Sequence, residues 1–233
     1  MASARIARAW HAATAVTAAF GVGVQLILVI TGASVLAPGD PPSRAERLFH
    51  FFSYFTVLTN LLVCVVSAIL ARNPGHDGLV WRVARLSALS GITMTGVVHW
   101  FLLRMLVDLQ GWSLAMDKIL HLVVPALALV GWLLFGPRPR IRGAVVVTSL
   151  LYPVAWLAYT LLVGRVSGWY PYPFLDVTEL GPRAVATACA GLTAALLALS
   201  VVMWWLDRHL PPTPRSRLRP RDRPRTRQGT SPR

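Results

Sequence analysis

Long apolar blocks separated by short polar stretches are the feature that most constrains the fold of this chain. Six blocks are visible, each near the length of about 20 residues that a helix needs to cross a bilayer. They cover residues 12–37, 48–71, 84–107, 119–135, 144–163 and 184–206. Backbone polar groups in lipid must be satisfied within their own segment, which favours helices. The sequence therefore predicts an all-α integral membrane protein with six transmembrane helices.

Composition agrees with this fold class. The 233 residues are 55% hydrophobic and 14% charged, with a mean hydropathy of +0.56, whereas a soluble domain has about a quarter charged residues. The first block is too long for a cleaved signal peptide, so we expect a retained span. Cys64 and Cys189 fall inside predicted spans, where we expect small apolar core residues rather than a disulfide or a metal site.

Basic residues alternate from one flank of the predicted spans to the next. Seventeen of the 23 Lys and Arg residues lie in the amino-terminal segment, the even-numbered loops and the carboxy-terminal segment. The other six lie among acidic residues in the odd-numbered loops. Cytoplasmic flanks carry the excess of positive charge, so both termini are predicted to be cytoplasmic. All but one of the basic residues are arginine, a bias typical of GC-rich genomes, and we expect a bacterial inner membrane.

The chain divides into a six-helix transmembrane domain over residues 1–209 and a tail over residues 210–233. The tail is rich in Arg and Pro and has almost no apolar residue, so we predict that it is disordered. Its charge favours contact with anionic lipid head groups. We expect no nucleic-acid partner, because no aromatic residues are interleaved with the arginines.

The loop between the fifth and sixth spans has the sequence GWYPYPFLDV, residues 168–177. Aromatic residues at a membrane surface commonly form an interfacial belt. Proline stiffens the segment, so the loop could equally cap a cavity that faces the lipid. The sequence leaves both roles open.

Reactive polar residues lie inside two predicted spans, where they are costly and typical of functional sites. Thr56, Thr59 and Asn60 have i, i+3 and i+4 spacing and share one helix face. Asp117 and His121 are four residues apart and share a face of the fourth span. We predict Thr56 about two helical turns below the outer end of its span, and His121 about one turn below.

Two further residues belong to the same outer half of the predicted membrane domain. Tyr54 lies nearer the surface than the threonines, and His99 lies in the outer half of the third span. The polar residues of three spans are therefore predicted to gather at similar depth. The inner halves of these spans are almost purely apolar.

These residue types indicate acyl-transfer chemistry. A threonine hydroxyl such as that of Thr56 becomes a nucleophile when a base such as His121 removes its proton, and Asp117 would orient the imidazole. Asn60 or a nearby backbone N–H would stabilise an oxyanion. One role that the pattern allows is hydrolysis of a carbonyl substrate that enters from the outer leaflet, and no metal or cofactor is implied.

Other roles stay open for the same residues. Threonine in a membrane helix often bonds a carbonyl one turn back, a role that stays open for Thr56, and we expect Thr59 to be structural. Histidine often makes an interhelical contact, a role we favour for His99. The polar cluster would then belong to a non-catalytic protein that binds lipid or a partner. His99 and His121 could also hold a haem. A transporter is not favoured, because broken-helix pairs and inverted repeats are missing.

Four motifs together resemble the androgen-inducible-gene family of multipass membrane threonine hydrolases, in particular its bacterial six-pass branch. They are YFTVLTN in the second span, LHLVVP and WLLFGPR in the fourth, and YPYPFLDV in the exoplasmic loop between the fifth and sixth spans. The resemblance covers most of the chain and leaves out the tail. It rests on the order, spacing and span placement of these short motifs.

The resemblance implies a function and two essential residues. Characterised animal members cleave fatty acid esters of hydroxy fatty acids with a threonine and a histidine. The family's Tyr-x-Thr context matches Tyr54 and Thr56, and its histidine matches His121. Animal members tend to have asparagine four residues before that histidine, where this chain has Asp117.

Overall fold

A computed structural model describes residues 2–32, 42–106 and 108–212, and every regular element in these ranges is helical. The helices of these ranges, apart from a 3-10 turn at Pro173–Leu175, are α1 (Ala2–Ile30), α2 (Arg44–Ser53), α3 (Phe55–Arg72), α4 (Leu79–Leu103), α5 (Gly111–Phe135), α6 (Gly143–Ser167) and α7 (Val177–His209). Within the described residues, six of them, all except α2, are long and apolar enough to cross a membrane. The prediction of an all-α fold with six such helices is confirmed.

Several predicted boundaries need correction. The second block, residues 48–71, is wrong as a continuous helix, because the chain breaks at Tyr54 between α2 and α3. The fourth helix starts at Gly111 instead of residue 119. Residues 33–37 and 107, and the tail from residue 213 onward, lie outside the described residues.

The helix α2 begins with a capping box and ends at a residue with extended backbone. Its first turn carries a capping box, in which the Glu46 backbone N–H donates to the Ser43 hydroxyl at 3.3 Å and the Ser43 N–H donates to the Glu46 carboxylate at 2.8 Å. It ends at Tyr54, whose backbone is extended. A short helix thus lies before the start of α3 and lets α3 begin at Phe55.

The helix α4 lies at the centre of the bundle and packs against α3, α5, α6 and α7. Its residues Ala88 and Ile92 share a buried cluster with Val63 and Val66 of α3 and Val124 of α5. In apolar surroundings, van der Waals packing of such side chains stabilises the contact between helices. The central position of α4 brings both ends of the bundle into contact with the same helix.

Large apolar side chains cover the outer faces of the long helices. Val16, Phe101, Val147 and Leu151 are each at least 67% exposed. Exposed apolar side chains on so many helices agree with contact with lipid or a partner. The distribution therefore agrees with six helices that could lie in a bilayer.

Close helix approach requires a glycine at one position of α4. A Cβ atom on Gly96 would stand 3.0 Å from the backbone carbonyl oxygen of His121 in α5. Small residues allow helix backbones to approach in this way in apolar surroundings. Backbone atoms of a packed helix cannot move aside as a flexible side chain can.

We expect Gly96→Ala to destabilise the fold by about 1–3 kcal/mol, the usual cost of overpacking. Gly23→Ala in α1 is the matched control, because no atom lies within 4 Å of its added Cβ. The control is expected to be neutral or stabilising by up to about 1 kcal/mol, since alanine favours helix. Thermal unfolding of both variants in detergent measures the difference, and equal melting temperatures would contradict the close approach.

Candidate functional site

The helix break at Tyr54 places Thr56 in the first turn of α3. N–H groups in a first turn have no intrahelical partner, and the Thr56 N–H donates to the Tyr172 hydroxyl at 3.5 Å. The Thr56 side chain is buried. Thr56 thus lies at the start of its helix instead of about two turns inside a continuous span, because α2 and α3 are separate helices.

Both histidines of the predicted site lie in π turns. His99 begins the turn His99–Leu103 of α4, and His121 is central in the turn Ile119–Val123 of α5. Such turns are rare in proteins as a whole, and those that occur are often found at functional sites. In α5, the N–H of Val124 donates to the carbonyl of Ile119. The next residue, Pro125, has no N–H to donate.

Thr56, His121 and Asp117 form one hydrogen-bonded series. The Thr56 Oγ1 atom lies 3.2 Å from His121 Nε2. On the far side of the ring, Nδ1 lies 2.9 Å from the Asp117 carboxylate and 3.0 Å from the Asp117 backbone carbonyl. Both of these groups only accept hydrogen bonds, so Nδ1 carries a proton, and in the neutral ring Nε2 then offers a lone pair to Thr56. The structure brings the three residues together, and their catalytic role remains a prediction.

Asp117 also contacts a second histidine. Its other carboxylate oxygen lies 3.2 Å from His99 Nε2. The rings of His99 and His121 stack with centroids 4.0 Å apart and planes 16° apart. One carboxylate of α5 therefore contacts both His121 in its own helix and His99 in α4, and His99 makes the interhelical contact that the sequence suggested.

The stacked rings bear on the haem and metal alternatives. Axial histidines approach a haem iron from opposite faces, but these rings lie face to face and share one carboxylate. His99, Asp117 and His121 do offer three ligand atoms within 4.8 Å of one another. The lone pairs of an imidazole lie in the plane of its ring. Because the two ring planes are nearly parallel, these lone pairs do not converge, and one ring would have to turn before both could bind a single ion.

Asn60 and Thr59 lie one turn after Thr56 in α3 and connect the site to neighbouring helices. The Asn60 side-chain N–H groups donate to the carbonyls of Thr56 at 2.9 Å and Leu120 at 3.3 Å. Both donors are thus occupied, and Asn60 links α3 to α5 instead of facing a substrate oxyanion. The Thr59 hydroxyl lies 2.8 Å from the Tyr152 hydroxyl, which is an interhelical contact with α6.

The aromatic loop lies over the site. The buried Tyr172 places its hydroxyl 3.4 Å from Thr56 Oγ1. Trp169 stacks on His50 of α2 with centroids 3.7 Å apart, and the Tyr54 ring contacts the rings of Trp169 and Tyr172 edge-on. These contacts favour the cap over the interfacial belt.

Sequence reasoning missed Tyr172 as a residue of the site. One signal for it was available, because Tyr172 stands between Pro171 and Pro173, each of which restricts the backbone of this loop. The hydroxyl contact with Thr56 joins residues 116 positions apart, which a local pattern does not show.

A cavity of about 150 Å³ lies beneath the loop. Its polar lining includes Thr56, His99, Asp117 and His121, together with Gln25, Arg47, His50 and Ser113. Most of the remaining wall is apolar and comes from α1 to α5 and the α4–α5 connection: Val29, Phe51, Val57, Leu103, Leu106, Leu109 and Leu120. A mostly apolar cavity with a few convergent polar groups fits a ligand that is mainly hydrocarbon.

We expect Asn60→Leu to destabilise the fold by about 1–3 kcal/mol, because the Leu120 carbonyl would be buried without a partner. Ser90→Ala is the matched control in α4. Its buried hydroxyl donates only to the Leu86 carbonyl of its own helix at 2.8 Å, so its loss is expected to cost less. Chemical or thermal unfolding in detergent compares the two, and an equal cost would contradict the linking role of Asn60.

Comparison with known proteins gives no match: no family model, curated protein or solved structure matches this chain. The resemblance to the androgen-inducible-gene family therefore remains a prediction from motifs. The functional argument rests on the geometry of the site.

Proposed function

We propose that this chain is an integral membrane hydrolase that cleaves an acyl ester of a lipid, with Thr56 as nucleophile and His121 as general base. The observation that carries the proposal is the hydrogen-bonded series from the Thr56 hydroxyl through His121 to the Asp117 carboxylate, at the wall of an apolar cavity. This arrangement has the three parts of a nucleophile, a base and an orienting carboxylate.

The proposed setting is a bacterial inner membrane with both termini in the cytoplasm. Six long apolar helices support insertion, and the alternation of basic flanks supports the orientation. The cavity lies at the amino-terminal ends of α3 and α5, which this orientation places toward the outer leaflet. A lipid substrate would then reach the site from the membrane itself.

In the first step, Thr56 Oγ attacks the ester carbonyl carbon while His121 Nε2 takes the hydroxyl proton. Asp117, which accepts from Nδ1–H at 2.9 Å, stabilises the resulting imidazolium. The tetrahedral intermediate then collapses. The bond from carbon to the alcohol oxygen breaks, His121 returns the proton to that oxygen, and an acyl-threonine remains.

The oxyanion of this intermediate needs hydrogen-bond donors. We assign this role to the Tyr172 hydroxyl, which accepts from the Thr56 N–H at 3.5 Å and lies 3.4 Å from Thr56 Oγ1, so that its own proton is available to the oxyanion. The positive end of the α3 dipole adds to its effect. The Asn60 amide is already bonded to two carbonyls.

In the second step, water attacks the acyl carbon while His121 removes its proton. Collapse of this intermediate breaks the bond to Thr56 Oγ, which regains a proton from His121, and releases a carboxylic acid. The apolar lining of the cavity supports a substrate with a long acyl chain. Fatty acid esters of hydroxy fatty acids, the substrates of the animal family, are the first class to assay.

We expect Thr56→Ala and His121→Ala to lower ester hydrolysis by at least about 10³-fold, because triad residues act as a unit. The same changes should abolish labelling by a fluorophosphonate probe, in which the activated hydroxyl displaces fluoride from phosphorus. The measurement uses the full chain in expressing membranes and after purification in detergent. Thr193→Ala in α7 is the control, because its hydroxyl donates to the Cys189 carbonyl of its own helix.

Stability separates this function from a purely structural polar cluster. If the polar cluster only links the helices, Thr56→Ala and His121→Ala should lower the melting temperature, and the wild-type protein should not hydrolyse esters. A folded wild-type protein that neither labels nor cleaves any acyl ester would favour the non-catalytic, lipid-binding alternative. Activity that a chelator abolishes and added metal restores would instead favour the ligand set His99, Asp117 and His121.

We expect Tyr172→Phe to lower kcat by about 10²-fold, the usual effect of removing one oxyanion donor. The ring packing against Phe174 and Tyr54 would persist, so KM should change little, and loss of the long hydrogen bond from the Thr56 N–H should lower the melting temperature only modestly. Tyr159→Phe in α6, whose hydroxyl lies 2.8 Å from Ser53 Oγ, is the matched loss of one phenol hydroxyl. An unchanged kcat in Tyr172→Phe would exclude Tyr172 from the chemistry.

A further inference from the structure

A second pocket lies at the other end of α4 from the candidate active site. Seventeen residues of helix separate Arg82 in this pocket from His99, which corresponds to about 25 Å. The pocket has a volume of about 440 Å³ and lies between the start of α4, the α5–α6 connection and the last turns of α7. Four arginines line it: Arg82, Arg140, Arg142 and Arg208.

The wall of this pocket is held in place by buried ionic groups. The Asp207 carboxylate, 1% exposed, accepts from the backbone N–H groups of Arg140 at 2.6 Å and Ile141 at 2.8 Å. The buried Arg85 guanidinium donates to the carbonyls of residues 136 and 137. The α5–α6 connection is thus fixed to α4 and α7, and a preformed site loses less conformational entropy on binding.

The pocket keeps an excess of positive charge. Asp77 accepts from Arg82 at 2.6 Å and from Arg140, and the hydrogen bond from Arg82 holds the pKa of Asp77 well below its usual range. One carboxylate thus serves two arginines. No carboxylate within the described ranges pairs with Arg142 or Arg208.

We infer that this pocket binds the phosphate group of an anionic phospholipid. Guanidinium groups match phosphate oxygens in charge and in paired hydrogen-bond geometry. Trp204 lines the pocket with Arg208 packed over its ring at 5.4 Å, as suits the boundary between acyl chains and head groups. Basic pockets between spanning helices bind such head groups on the cytoplasmic side, where the charge pattern places this end of the bundle.

The test compares the wild-type chain with R142Q/R208Q. The control R5Q/R8Q removes the same charge from exposed positions of α1 on the same predicted side. Each full-length protein is purified in detergent, and its melting temperature is measured with added phosphatidylglycerol or phosphatidylcholine. We expect phosphatidylglycerol alone to raise the melting temperature of wild type and control by several degrees, and that of R142Q/R208Q by less than half as much.

Equal shifts in all three proteins would overturn the pocket, because general attraction to anionic lipid would then suffice. Inorganic phosphate is tested in a parallel arm to identify the source of the phosphate group. A shift with inorganic phosphate as large as that with phosphatidylglycerol would overturn the lipid as ligand. If R142Q/R208Q does not fold, R142Q and R208Q are tested singly, and wild-type shifts in both would overturn the pocket. The inference does not depend on hydrolysis, so failure of the catalytic assays leaves it unchanged.

Discussion

The hydrogen-bond pattern around Pro125 is the constraint on which the geometry of the candidate site depends. Proline has no N–H, and the preceding Val124 donates to Ile119 in a π turn. The Leu120 carbonyl is thereby left without a helical partner, and Asn60 donates to it from α3. The His121 carbonyl meets Gly96 of α4, where a side chain would collide. The irregular turn thus joins three helices at the residue proposed as the base.

Two carboxylates, one near each end of this bundle, are held by hydrogen bonds of different kinds. A carboxylate in apolar surroundings is costly unless it is paired and hydrogen-bonded, and Asp117 has an imidazole on each oxygen. Asp207 uses backbone N–H groups for the same purpose at the other end. The partners of Asp117 are imidazole side chains, which can exchange protons and therefore suit a catalytic role. The partners of Asp207 are backbone N–H groups, which suit the fixed wall of the arginine pocket.

The central helix α4 connects two regions with different chemistry. Its carboxy-terminal π turn supplies His99 to the polar wall of the apolar cavity, and its first turn supplies Arg82 to the arginine pocket. An aromatic loop covers the first region, and the second remains open. The charge pattern of the sequence predicts that these two ends face opposite sides of a membrane.

The sequence by itself determined the all-α class, the number of long apolar helices and the candidate residues Thr56, Asp117 and His121. Apolar length and i, i+4 spacing are local properties, so they can be read without knowledge of packing. Only the tertiary structure decided that Thr56 meets His121, that Asn60 faces two carbonyls, and that Tyr172 lies over the nucleophile. The contacts of Thr56 join residues 65 and 116 positions apart. They depend on how the helices pack and on where α3 and α5 depart from regular geometry, which no local spacing encodes.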